Sequence, residues 1–154
     1  LDTIRTKDRK TDYISPALRG FEDRRREGFG HFLSEAELRK MDNRRVADVI
    51  MRFPGVAILR GGTSDPGKVY AGSSRKPVSP SKVTGPCYAA VYVDGVERKD
   101  MALVRGQLRQ TPPNLNDINI DQLAAIEYYG GEATAPQGFH QNGCGLLLLW
   151  TRER

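Results

Sequence analysis

No apolar stretch in this chain approaches the ~20 residues that a membrane-spanning helix requires; the longest candidate, Leu146 to Trp150, is strand-sized. A sustained run of one charge sign is also missing. The 24 Lys and Arg against 19 Asp and Glu leave a net charge of +5, which permits weak attraction to anionic surfaces. The basic residues are nonetheless interleaved with acids, as in Glu22-Asp23-Arg24-Arg25-Arg26-Glu27, and a mixed run of that kind reads as a solvated helix face. Aromatic residues do not alternate with basic ones as a stacking platform requires, so nucleic acid is not an expected partner. Cysteine is scarce: Cys87 and Cys144 stand far apart without the paired spacing of a zinc site, and His31 and His140 bring no carboxylate cluster with them. No metal and no cofactor is expected. The two cysteines are either buried thiols of a reduced protein or one disulfide in an oxidising compartment. An initiator Met and a signal peptide are lacking at Leu1, which suggests a processed protein or an excised fragment.

What is present is a lean core and many connections. The 154 residues fit one domain, of which 38% are hydrophobic, while 16 Gly and 9 Pro punctuate the chain; a compact sheet with long loops fits this better than a helical bundle. Residues 1–14 read as an extended lead-in and 15–154 as the domain. Ser15-Pro16 sets a cap with Pro at the first helical position, and the helix it opens stops at Gly28. Gly28-Phe29-Gly30-His31-Phe32 reads as a break. Ser34-Glu35-Ala36-Glu37 is a capping box, with Leu33 and Leu38 as its hydrophobic staple. Val46, Val49, Ile50 and Phe53 follow at helical spacing, and Pro54-Gly55 ends that helix.

Strands are predicted at Val56 to Leu59, Val69 to Ala71, Tyr88 to Val93, Ala125 to Tyr129 and Leu146 to Thr151, with a short helix near Asn119 to Leu123. Asp94-Gly95 is a hairpin turn, because a type I′ turn needs positive φ at both central residues. Arg60 to Pro86 and the region from Lys99 to Asn114 read as long polar loops. The order of elements predicts an α+β domain, a small mixed β-sheet with two or three short helices packed on one side of it. The Val91 to Val93, Ile126 to Tyr129 and Leu146 to Trp150 strands share that sheet, and the Val46 to Phe53 helix packs on it.

Catalytic signals fail residue by residue. Gly62-Thr63-Ser64-Asp65-Pro66-Gly67-Lys68-Val69 nearly spells a phosphate loop, but Val69 stands where a hydroxyl must bind Mg²⁺. Cys87 and His140 suggest a thiolate–imidazole pair with no residue assignable to orient the imidazole. Asp117, Asp121 and Glu127 are spread over different elements. The chain is therefore expected not to be an enzyme. Tyr70, Tyr88, Tyr92, Tyr128 and Tyr129 are aromatic candidates for ligand contact, although strand alternation turns such residues inward.

The segments Val46 to Val56, Val91 to Val96, Ile126 to Gly131 and Gly143 to Arg152 resemble, in order, motifs of the plug domain of TonB-dependent outer-membrane receptors. Val46-Ala47-Asp48-Val49-Ile50 through Phe53-Pro54-Gly55-Val56 is similar to the plug helix that ends in Pro-Gly-Val. Val91-Tyr92-Val93-Asp94-Gly95-Val96 is similar to the hydrophobic-Asp-Gly-Val hairpin. Ile126-Glu127-Tyr128-Tyr129-Gly130-Gly131 is similar to the Ile-Glu-Val strand and its turn, and Gly143-Cys144-Gly145 with Leu146 to Arg152 is similar to the last strand, which ends in Thr-Arg. The Arg-rich lead-in Arg24 to Phe32, Cys87 and Gly-Cys-Gly resemble the variant found after carboxypeptidase-regulatory-like modules.

The resemblance implies a gating domain that occludes a β-barrel of the same protein on the periplasmic side of a Gram-negative outer membrane, with TonB as a further partner. It also implies ligand contacts from apical loops, for which Arg60, Lys68, Tyr70 and Arg105 are candidates. By way of the oxidising compartment it implies a Cys87–Cys144 disulfide. The alternatives are a free-standing periplasmic binding module with the same fold and, more remotely, a cysteine-dependent enzyme.

Overall fold

A computed structural model describes residues 14–62, 65–73, 87–104, 106–131, 133–139 and 143–153. Residues 1–13 of the expected lead-in 1–14, much of the loop ending at Pro86, Arg105 and His140 lie outside the described residues. In chain order the elements are α1 (Pro16–Glu27), β1 (His31–Leu33), α2 (Glu35–Arg39), α3 (Val46–Ile50), β2 (Val56–Arg60), β3 (Val69–Ser73), β4 (Ala90–Val93), β5 (Val96–Arg98), β6 (Asp100–Val104), β7 (Gln107–Thr111), two single-turn 3₁₀ helices (Leu115–Asp117 and Ile120–Gln122), β8 (Leu123–Tyr129) and β9 (Leu146–Thr151).

The helix ends follow from their caps. The Ser15 hydroxyl accepts from the Leu18 N–H, Pro16 occupies the first turn, and Gly28 closes α1 at φ 77° with its N–H donating to the Arg24 carbonyl. At α2 the capping box forms in both directions, with the Ser34 N–H donating to Glu37 at 2.7 Å. That backbone hydrogen bond holds the Glu37 carboxyl below its ordinary range. The third helix is shorter than its periodicity predicts. Beyond Ile50 the backbone tightens into i→i−3 bonds, Arg52 N–H to Val49 and Phe53 N–H to Ile50, because Pro54 disfavours a helical residue before it.

Five strands form one mixed sheet in the order β1-β8-β9-β4-β5, in which only β4 and β9 run parallel. Asp94 and Gly95 turn the β4–β5 hairpin at φ 52° and 83°, the left-handed pair that the type I′ turn demands. A second, two-stranded sheet of β2 and β3 is joined to the first through a bridge between Gly72 and Tyr88, and Ala89 N–H donates to the Ala71 carbonyl at 2.8 Å. Cys87 and Cys144 are joined as a disulfide with Cα atoms 5.3 Å apart. It ties together the entries to β4 and β9, the parallel neighbours.

Two readings of the sequence are corrected by this topology. His31–Leu33 is not a break but the edge strand β1, paired with Ile126 to Tyr128. The polar region after Lys99 contains a full hairpin, β6 with β7, whose Met101, Leu103 and Leu108 lie on one exposed face.

Helices cover both faces of the main sheet, not one. On the first face Leu38 of α2 and Val46, Val49 and Ile50 of α3, with Phe53, pack on Val91, Ile126, Tyr128, Leu147 and Leu149, joined by Ala71, Leu115 and Ile120. On the second face Phe21 of α1 packs on Ala90, Tyr92, Ala125, Tyr129, Leu146, Leu148 and Trp150, with Leu18, Phe32, Ala135 and Phe139 around the margin. A strand buried on both sides carries a continuous apolar run, and Leu146 to Trp150 is such a run. The run signals burial but does not say which cover lies on which side.

Candidate functional site

The second face contains the one fully buried charged side chain among the described residues, Glu127. Alternation along β8 places Ala125, Glu127 and Tyr129 toward α1. Arg24 meets the carboxylate with two parallel bonds, Nε to Oε1 at 2.7 Å and Nη2 to Oε2 at 2.8 Å. The Tyr129 hydroxyl donates to Oε1 at 2.8 Å and Trp150 Nε1 donates to Oε2 at 2.6 Å. Each carboxylate oxygen thus accepts two bonds, which meets the requirement that a buried ion have its lone pairs satisfied.

The Arg24 guanidinium also lies 5.7 Å from the Trp150 ring centre and 6.0 Å from that of Phe139, within cation–π range. Tyr92 braces Phe139 edge-on at 5.0 Å. Hydrogen bonding to Glu127 raises the Arg24 pKa further above its ordinary value, and burial together with the Glu127 charge pushes the Tyr129 hydroxyl up. Arg24 stays a cation and Tyr129 stays a donor.

Local sequence prepares this geometry. Arg24 follows Phe21 by three residues, so the two share a helix face. Gly20 is unfavourable inside a helix by about 1 kcal/mol, yet a Cβ there would meet Arg24 Nη1 at 2.9 Å. The missing side chain lets the guanidinium fold back along α1. The neighbours behave differently: Arg25 pairs with Glu22 and Arg26 with Asp23 on the exposed side, as the mixed charge run predicts.

The motif residues are also bonded to one another. Asp94 of the Asp-Gly turn accepts from the Thr151 N–H at 2.8 Å and from its hydroxyl at 2.6 Å. Arg152 donates from Nε to the Leu123 carbonyl at 2.9 Å and pairs with Asp42 at 3.4 Å. The Thr-Arg ending of β9 is thereby tied to β4, to the start of β8 and to the loop after α2.

Among the predicted ligand residues, Arg60 is exposed at the end of β2 and pairs in register with Val69, the neighbour of Lys68. Lys68 is partly buried and sits 3.7 Å from Asp65. These two come together at the tip of the β2–β3 hairpin. Tyr70 does not join them: it is 2% exposed, its ring centre 4.7 Å from that of Tyr88, because it points inward from β3. Tyr92, Tyr128 and Tyr129 are buried as well. Arg105 lies outside the described residues.

Within the phosphate-loop mimic, residues 65–69 lead into the strand β3. Gly61 N–H donates to the Lys68 carbonyl at 2.8 Å, and Asn114 accepts from the Val69 N–H at 2.9 Å. Cys87 is held in the disulfide, and His31 stacks on Phe53 at 5.6 Å. Sequence reasoning missed the partnership of Arg24 and Trp150 with Glu127. The signal that could have found it was the Phe21–Arg24 spacing, which marks one arginine of the charged run as facing inward.

No family model matches the chain, and no curated protein matches it. Among solved structures it is similar to the crystal structure of the ferric yersiniabactin uptake receptor FyuA from Yersinia pestis, at 17% sequence identity and a TM-score of 0.47, over 80% of this chain and 17% of that one.

Proposed function

We propose that this domain is a plug-like gating and binding module of a TonB-dependent outer-membrane receptor, with no catalytic role. The observation that carries the reading is the placement of the four resembling motifs. They fall on α3 with β2, on the β4–β5 hairpin, on β8 and on β9, the last three being bonded members of one sheet. Asp94 and Thr151, from two different motifs, bond directly. Residues that the resemblance selects one motif at a time thus form one connected scaffold.

The physical logic of a plug needs a compact body able to fill a polar lumen and loops able to reach a ligand. A sheet covered on both faces and closed by a disulfide supplies the body. The hairpin tip with Arg60 and Lys68 supplies a cationic ligand contact in this reading. The barrel would belong to the same protein, and the domain would sit on the periplasmic side of the outer membrane, where a disulfide persists.

The test starts with the reading frame after Arg154. Alternating segments of ~10 residues, as a transmembrane barrel requires, are expected there. The full receptor reconstituted in planar bilayers should then pass little current, and deletion of residues 15–153 should open it. A stop codon after Arg154 would replace the receptor reading with that of a free-standing periplasmic module. A barrel whose conductance ignores the deletion would overturn gating.

A further inference from the structure

The hold that α1 has on the sheet is narrow. Its one buried apolar residue is Phe21, which meets Phe32 of β1 edge-on, Leu18 lies at the margin, and Arg24 binds Glu127. The seat beneath is more elaborate than one helix of a core needs. Glu127 is fixed at the bottom by Tyr129 and Trp150, and the Trp150 and Phe139 rings flank the space that the guanidinium fills. A carboxylate held by donors and ringed by aromatic faces is a receptor for a planar cation, and the two parallel bonds select arginine over lysine.

We propose that Glu127, Tyr129, Trp150 and Phe139 form a guanidinium-binding site that Arg24 fills in cis, and that an arginine-bearing helix of a partner protein takes the same seat when α1 leaves it. The occupant is defined by what α1 itself presents: an aromatic residue and an arginine three positions later on one helix face, the aromatic for the apolar patch of Tyr92, Leu146 and Leu148 and the arginine for Glu127. Charge complementarity argues for it, since the departure of α1 leaves an acidic centre within an apolar face. Gly28, at positive φ with open space around it, supplies the hinge, while Gly30 stays packed against Tyr129 on the sheet. A partner then meets a site that is open for only a fraction of the time, and its apparent affinity falls by that fraction. In this arrangement α1 is an autoinhibitory cover. The inference stands on the Glu127 geometry and does not rest on the receptor reading.

Two probes test it on the full chain. Methylguanidinium titrated into Arg24→Ala should give a saturable rise in melting temperature, absent from wild type and from Arg24→Ala/Glu127→Gln. A fluorescein-labelled peptide of residues Ser15 to Gly28 should bind Phe21→Ala/Arg24→Ala about tenfold or more tighter than it binds wild type, because the competing cover is weakened. Binding should vanish when the peptide carries Arg24→Ala or the chain carries Glu127→Gln. Peptide affinity that is equal in the two chains, or indifferent to Glu127, would overturn the proposal. Should the variants fail to fold, wild type decides by kinetics. Its observed association rate should reach a ceiling as peptide rises, set by the opening of α1; a rate that climbs linearly throughout, or no binding, contradicts a removable cover.

Discussion

The two faces of the main sheet are closed by different physics. The first is apolar throughout: two helices, two 3₁₀ turns and the β2–β3 pair interlock over Val91, Ile126, Leu147 and Leu149. The second is closed by a single helix that contributes one buried apolar residue and one ion pair. Apolar burial is non-directional and adds up over area. A buried ion pair gains little net stability over an apolar replacement yet is costly to break from one side. The first face therefore sets how stable the domain is, and the second sets where α1 must sit.

The largest effect is expected on the apolar face. Phe53→Ala should destabilise by about 3–5 kcal/mol, the range for buried aromatic truncation, read from a denaturant melt. The side chain is 8% exposed and stacks with both His31 and Tyr128, so a loss near zero would remove it from the core.

Next is the cross-link between the entries to β4 and β9. It closes a separation of 57 residues, for which the chain-entropy model gives up to about 4 kcal/mol. Reductant should lower the melting temperature, and mass spectrometry of the non-reduced protein should find no free thiol at Cys87 or Cys144.

On the charged face, Arg24→Ala strands Glu127 and should cost about 3 kcal/mol, at the low end for a broken buried pair because the Arg24 side chain is 20% exposed and water can follow it in. The paired replacement Arg24→Met with Glu127→Leu sharpens the contrast. It removes the stranded charge but leaves the Tyr129 and Trp150 donors without Glu127, so it should recover only part of that loss. A double variant no more stable than Arg24→Ala would mean that the stranded charge is not what makes Arg24→Ala costly.

The smallest effect is expected at the turn. Asp94→Ala gives up two exposed hydrogen bonds to Thr151, each at the low end of about 0.5–1.5 kcal/mol. It also puts alanine at φ 52°, where Asp already bears part of the left-handed cost, and together these come to about 2 kcal/mol. Asp94→Asn should retain most of the stability, since Asn tolerates the left-handed region and keeps an acceptor.

How much of this was legible in the sequence depended on how local the cause was. The Ser34 capping box, the Pro16 and Gly28 ends of α1 and the Asp94-Gly95 turn are decided within four residues, and the sequence reading placed them correctly. The sharing of one sheet by three apolar runs was also legible. The side on which each helix packs was not, because Leu146 to Trp150 is buried on both faces and has no polar side to betray direction. The edge strand β1 was hidden directly behind Gly28 and Gly30, and the β6–β7 hairpin was hidden by the polar residues of β7 and of its flanks. In the candidate site, Glu127 was noted only as one scattered carboxylate and Arg24 as part of a solvated run. Their meeting depends on a contact across 103 positions of sequence, which only the fold can supply.

Native-state hydrogen exchange of the wild-type chain decides whether α1 is a separable cover on a sheet whose stability lies elsewhere. Amides of α1 should exchange through an opening well below the free energy of global unfolding, while β8 and β9 amides should exchange only through global unfolding. Exchange of α1, β8 and β9 at one common free energy would contradict it.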